Sequence, residues 1–184
     1  MIAYRLIPFL WGFLEGTCFF LVPDIWLTFL ACRREKRRSL SVAVVLCILG
    51  AIAGGIVMYF SAQHLGDRIL IFLDYIPGIS NAMIEHAQQM LTKEGLFSLF
   101  SGVFQGIPYK IFASEWGLLY GSLWLFIFVS FFSRGIRFVF AVGLTRLICS
   151  ILDAKLVHAN KIKYVLLIVF WVAYYSFYFT QHGF

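Results

Sequence analysis

The chain has 184 residues, 61% of them hydrophobic and 19% aromatic, with only 13% charged and a net charge of +6. Ordinary soluble domains are roughly 45–50% apolar and about 25% charged. The composition therefore reads as an integral membrane protein, excludes a separate soluble domain of useful size, and puts any function inside the bilayer.

The first apolar region, residues 6–30, holds Glu15 and Asp24 together with Pro23. Its Leu, Ile, Phe and Val residues favour insertion by about 4–8 kcal/mol, while the two carboxylates oppose it by about 5–7. Pro23 also breaks the backbone ladder just before Asp24, so a re-entrant hairpin fits better than a straight span. Within it, Phe29-Leu30-Ala31-Cys32 resembles a lipoprotein cleavage site. The charges before it and the RREKRR run after it oppose cleavage, so the segment is expected to belong to the mature protein. The cysteines, Cys18, Cys32, Cys47 and Cys149, have no C-x-x-C or metal spacing and read as small apolar residues.

Residues 41–62 carry no charge and are long enough to cross about 30 Å of hydrocarbon as a helix. Residues 67–95 form an acidic segment placed outside, within which 81–94 put Met83, Ile84, Ala87, Met90 and Leu91 on one face, the pattern of an interfacial amphipathic helix. Residues 96–117 repeat the first design: in FQGIPYK, Gly106 and Pro108 interrupt an apolar run immediately before Lys110, giving a second re-entrant hairpin. Residues 118–145 form a second span and 162–180 a third, the latter with Tyr and Trp where an interfacial belt would lie.

Charge supports a topology. The segments 1–5, 31–40 and 146–163 hold ten Lys/Arg against Glu35 and Asp153, a net +8, and are expected on the cytoplasmic side. Segment 63–95 nets −2, and the remainder balances Lys110, Arg134 and Arg137 against Glu15, Asp24 and Glu115. The N-terminus is then inside and the C-terminus outside, and the RREKRR run anchors on anionic lipid rather than nucleic acid. A shift of 85 residues superposes Pro23 on Pro108 and Gly50 on Gly135. The expected fold is an all-α inverted repeat of re-entrant hairpin plus transmembrane helix, with an additional C-terminal transmembrane helix.

Arg134 stands about 18–20 Å along the predicted span from both Gly121 and Arg146, too deep to snorkel, and therefore needs a buried partner. Arg137 follows on the same face, and two guanidinium forks there suit phosphate oxygens. The plainer reading is that Glu15 and Asp24 neutralise both arginines as internal ion pairs.

WGFLEGTCFFLVPD, then GAIAGG with a Tyr four residues later, then GVFQGIPYKIFAS and FSRGIRF resemble the DedA or SNARE-associated (VTT-domain) superfamily, nearest its YqaA-like branch, over roughly residues 10 to 143. The resemblance implies a multi-pass bacterial inner-membrane protein that flips or scrambles a phosphorylated lipid, such as a polyprenyl phosphate or an anionic phospholipid. It implies functional roles for Glu15, Asp24, Arg134 and Arg137. Lys110 joins them as a candidate for holding the lipid phosphate, with protons as a candidate coupling ion. Pro23, Gly54, Gly55, Gly106, Pro108 and Gly135 are the expected hinges or helix breaks. No cofactor and no metal are expected, the chain reads as no enzyme, and homo-oligomers are allowed. The alternatives are a proton- or cation-coupled carrier or channel for a small solute, and a membrane assembly factor that transports nothing.

Overall fold

The computed structural model describes residues 2–33, 35–155 and 159–182. Arg34 of the basic run lies outside the described residues, as do Met1, the Arg5 side chain and residues 156–158 of the segments assigned to the cytoplasmic side. The described residues form helices and no strand: α1 (Ile2–Thr17), α2 (Asp24–Cys32), α3 (Arg37–Leu65), α4 (Arg68–Asp74), α5 (Asn81–Glu94), α6 (Ser98–Phe104), α7 (Tyr109–Leu118), α8 (Leu123–Lys155) and α9 (Ala159–His182), with a short 3-10 turn over Gly95–Phe97. Three of them are long and apolar enough to cross a membrane: Arg37–Leu65, Leu123–Lys155 and Asn160–Gln181. Large apolar side chains on the outer faces of α8 and α9, among them Phe128, Phe140, Ile168 and Val172, are exposed, as expected of a membrane protein.

The spine is α3. α1 lies against it through two interlocked G-x-x-x-G pairs, Gly12 and Gly16 on one helix and Gly50 and Gly54 on the other. A Cβ on Gly12 would strike the Cys47 carbonyl, one on Gly50 the Phe9 carbonyl, and one on Gly54 the Phe13 carbonyl. Helices in lipid gain little from the hydrophobic effect, so backbone-to-backbone approach across small residues is a main source of their cohesion. Phe9 meets Gly50 and Phe13 meets Gly54, so α1 runs parallel to α3. It ends about level with Gly54, roughly 26 Å along the ~43 Å of α3.

The chain then breaks over residues 18–23. Pro23 occupies the N-cap of α2, which turns back toward the Arg37 end of α3. Leu27, Leu30 and Ala31 of α2 are buried with Leu40, Val44 and Ile48 of the first half of α3. Across this first hairpin the Trp11 indole donates to the Leu21 carbonyl at 3.0 Å.

A second hairpin meets the other half of α3. The Tyr109 ring lies on Gly55, and Gly117 sits on the Tyr59 backbone, so α7 starts near the middle of α3 and runs toward its far end. Gly102 lets α6 rest on the Phe112 ring of α7. Between these arms Gly106 takes φ +75°, a left-handed conformation that glycine adopts without strain, and Pro108 is the N-cap of α7. Pro23 and Pro108 thus occupy the same place in their hairpins, directly before the helix that leads away from the turn.

Some expectations need correction. Gly54, Gly55 and Gly135 break no helix: α3 and α8 run through them uninterrupted. Gly54 and Gly55 are contact glycines that admit the α1 backbone and the Tyr109 ring, and Gly135 faces the Ile48 side chain. The second span begins at Leu123 rather than 118, because α7 continues to Leu118 and Tyr120 takes a left-handed φ of 49°. It then runs on to Lys155. The amphipathic helix forms over Asn81–Glu94 with its polar face exposed, and its apolar face packs against protein. Met83, Ile84, Ala87, Met90 and Leu91 are buried in one cluster with Ile69 and Leu73 of α4 and Ile111 and Phe112 of α7.

Gly50→Ala should therefore destabilise the bundle by about 1–3 kcal/mol through overpacking against α1. Gly143→Ala, where nothing lies within 4 Å of the new methyl group, should not destabilise the bundle and should gain up to about 1 kcal/mol of helix propensity. Unfolding of the two variants side by side in detergent micelles measures the difference.

Candidate functional site

The tips of the two hairpins meet. Lys110, in the first turn of α7, reaches across and donates from Nζ to the Phe19 carbonyl in the first hairpin turn at 2.7 Å. Glu15 near the end of α1, Asp24 at the start of α2 and Arg134 and Arg137 on α8 complete the cluster. All five ionisable residues singled out in the sequence fall in this one place.

The arginines do not share one ligand: each faces its own carboxylate. Arg137 Nη2 donates to Asp24 Oδ2 at 2.8 Å. Asp24 also sits in the first turn of α2, where the positive end of the helix dipole favours an anion. Arg134 Nη1 lies 3.3 Å from Glu15 Oε1, with both residues almost fully buried. That second pair is one of proximity, without hydrogen-bond alignment: Arg134 Nε and Nη1 and Glu15 Oε2 have no hydrogen-bond partner. The guanidinium is instead held by the Tyr109 ring, with its central carbon 4.1 Å from the ring centroid. Tyr109 is fixed in turn by its hydroxyl, which donates to Ser130 Oγ at 2.9 Å, and by stacking on Phe126.

Lys110 is 2% exposed, and among the described residues no carboxylate pairs with its Nζ. It also occupies the N-terminal turn of α7, the end of a helix where a cation is disfavoured. Glu115, counted with the intramembrane charges in the sequence, does not offset it: five residues on, it lies about 7.5 Å along and 140° around the helix from Lys110. The cluster accordingly holds three cations and two carboxylates, one positive charge in excess. The balance expected from the sequence does not hold locally.

A crevice of about 50 Å³ lies at the junction, lined by Glu15, Lys110, Arg137, Val22, Gly106 and Tyr174 among others. That is room for a few water molecules. α9 and the loop before α5 close its sides: the Tyr175 hydroxyl accepts from the Val22 N–H at 2.8 Å, and the Tyr178 hydroxyl donates to the Gly78 carbonyl at 2.8 Å.

Sequence reasoning passed over Tyr109, Tyr175 and Tyr178. Tyr109 had a signal, since it stands between Pro108 and Lys110 inside the interrupted segment. The other two belong to an aromatic stripe whose members the sequence does not distinguish.

Removing one partner of a buried pair typically costs about 3–5 kcal/mol, whereas replacing both with apolar groups is often nearly neutral. Glu15→Ala should be strongly destabilising, and Glu15→Ala with Arg134→Met should recover most of the loss. A double-mutant cycle on unfolding in micelles tests this, and strictly additive losses would mean the two groups do not interact.

Comparison of the chain with protein-family models, with curated proteins and with solved structures found no match.

Proposed function

We propose that the chain is a membrane transporter that moves the headgroup of a phosphorylated lipid across the bilayer through the junction of its two hairpins, which act as re-entrant elements of an inverted repeat. The carrying observation is the unneutralised cation: Lys110 is buried, unpaired by carboxylate, and seated at a helix N-terminus beside Arg134, whose Nε and Nη1 lack hydrogen bonds. An anion with several acceptor oxygens would answer all three features together, and phosphate is the group that guanidinium forks and helix N-termini bind well.

The resemblance to the DedA or VTT-domain superfamily supports the same reading and, with it, a bacterial inner membrane and cytoplasmic basic ends. In this mechanism the tips separate to admit the headgroup, since the crevice as it stands has room only for water. The lipid phosphate takes the place of Glu15 at Arg134 and is met by Lys110, while the hydrocarbon chains stay in the bilayer. Glu15, with one oxygen already unpaired, is the carboxylate that the phosphate displaces, and protons are the candidate coupling ion.

The water-sized crevice favours one second reading, a proton-coupled carrier for a small solute or ion. A flip assay with dithionite and fluorescent phospholipid, run beside a proton- and solute-flux assay on the same vesicles, separates the two.

Lys110→Met tests the proposal without orphaning a carboxylate. Loss of the local charge excess should slow headgroup translocation at least about tenfold, equivalent to roughly 1.4 kcal/mol, with assembly in the membrane unchanged. Translocation at the full rate in this variant would overturn the phosphate reading.

A further inference from the structure

A second concavity opens from the same charges. It is a groove of about 430 Å³ along α8, lined also by α9, by α2 and by Phe100 of α6. Val22, Arg137 and Tyr174 line both this groove and the crevice between the hairpin tips, so the two adjoin at these side chains. From Ser133 the groove follows α8 to Thr145, twelve residues or about 18 Å toward the end of the bundle that carries Glu35 and Arg146. Beyond Arg137 its wall is almost wholly apolar, with Phe140, Leu144, Phe170 and Trp171.

We propose that this groove holds one acyl chain of an anionic phospholipid whose phosphate rests at Arg137, the chain running from Arg137 toward Thr145. The inference rests on the phosphate reading above and adds where the hydrocarbon goes and which way the lipid points. Three observations choose the occupant. The Arg137 side chain keeps 21% of its surface exposed although paired with Asp24, so it is open to a second acidic partner at the head of the groove. The cluster behind it has one positive charge in excess, which complements an anionic head. From Arg137 to Thr145 the groove runs eight residues or about 12 Å, most of the ~15 Å hydrocarbon depth of one leaflet.

The direction has a consequence for polarity. A lipid with its phosphate at mid-depth and its chain pointing to the Arg146 end has the orientation of lipids in the opposite leaflet. The groove therefore takes lipid from the leaflet away from the basic ends of the bundle, with the head drawn inward first. An ordinary annular lipid of the near leaflet would lie the other way round, with its head beside Arg146.

Phosphatidylglycerol carrying a diazirine at the end of one acyl chain, or on the carbons next to the glycerol, distinguishes these orientations. Each probe is incorporated in vesicles with the full chain, photolysed, and mapped by peptide mass spectrometry. The chain-end probe should label around Leu144 and Thr145, and the glycerol-side probe around Arg137 and Tyr174. Ala141→Trp, which fills the groove, should abolish the chain-end label at Leu144. The reverse order of labels, or labels that ignore the groove and follow the exposed face of α8, would overturn the inference. Flipping by Lys110→Met in the same vesicles keeps the two readings apart. A full rate there removes the phosphate site itself, whereas a slowed rate with reversed labels removes only the groove.

Discussion

A guanidinium with almost no access to solvent is the constraint to which the rest of the bundle answers. Arg134 lies in the middle of a long apolar helix, where an isolated charge is prohibitive and even a paired one has a desolvation penalty of several kcal/mol. Three elements converge on it. α1 brings Glu15, and can do so because glycine contacts press its backbone onto α3 and stop it just past the middle of that helix. α7 brings the Tyr109 ring, whose approach is allowed by Gly55. The Arg137–Asp24 pair one turn further along ties α2 to the same stretch of α8. Glycines with no polar atom of their own in the site are thereby part of the reason the charges are held.

The hairpin turns raise a second problem, because irregular backbone in an apolar interior leaves N–H and C=O groups without partners. Side chains supply them: Trp11 of the preceding helix for the Leu21 carbonyl, and from distant helices Lys110 for Phe19 and Tyr175 for the Val22 N–H. α9 belongs to this scheme even though most of its surface is exposed. Its Trp171 indole donates to Thr28 of α2 and its Tyr178 hydroxyl to Gly78 in the loop before α5, so with Tyr175 the aromatic stripe on its inner face hydrogen-bonds the first hairpin and that loop. Aromatic residues suit this place because they present an apolar body to their neighbours and a polar edge to the backbone.

These two demands leave a cluster that is stable without being fully satisfied. Every carboxylate in it is shared with an arginine, yet a lysine and part of one guanidinium remain in excess, and Ser114 and Glu115 on α7 keep unpaired oxygens apart from it. Complete neutralisation would be the expectation for a purely structural network. Among the described residues, Glu15 Oε2 and Arg134 Nε and Nη1 lie unpaired in this cluster, beside a crevice lined by Glu15, Lys110 and Arg137, while the Trp26 indole, Ser114 and Glu115 lie outside it.

The sequence alone determined the quantities that are local along the chain. These are the helical class, the lengths of the apolar runs, the breaks at Pro23 and at Gly106–Pro108, and the identity of five ionisable residues too costly to leave in hydrocarbon. Periodicity, insertion energy and backbone restriction are each fixed by neighbours within a few turns, which is why these were legible. Tertiary structure decided what each charge meets. Arg137 and Asp24 are 113 residues apart, and their pairing depends on how far α2 and α8 slide past one another, a quantity no local pattern carries. The same holds for the separation of Glu115 from the cluster, the Tyr109 ring beneath Arg134, the burial of α5 against α4 and α7, and the use of Gly54, Gly55 and Gly135 as contacts in unbroken helices. Each is settled by the fit of one helix surface against another, and so by three-dimensional packing.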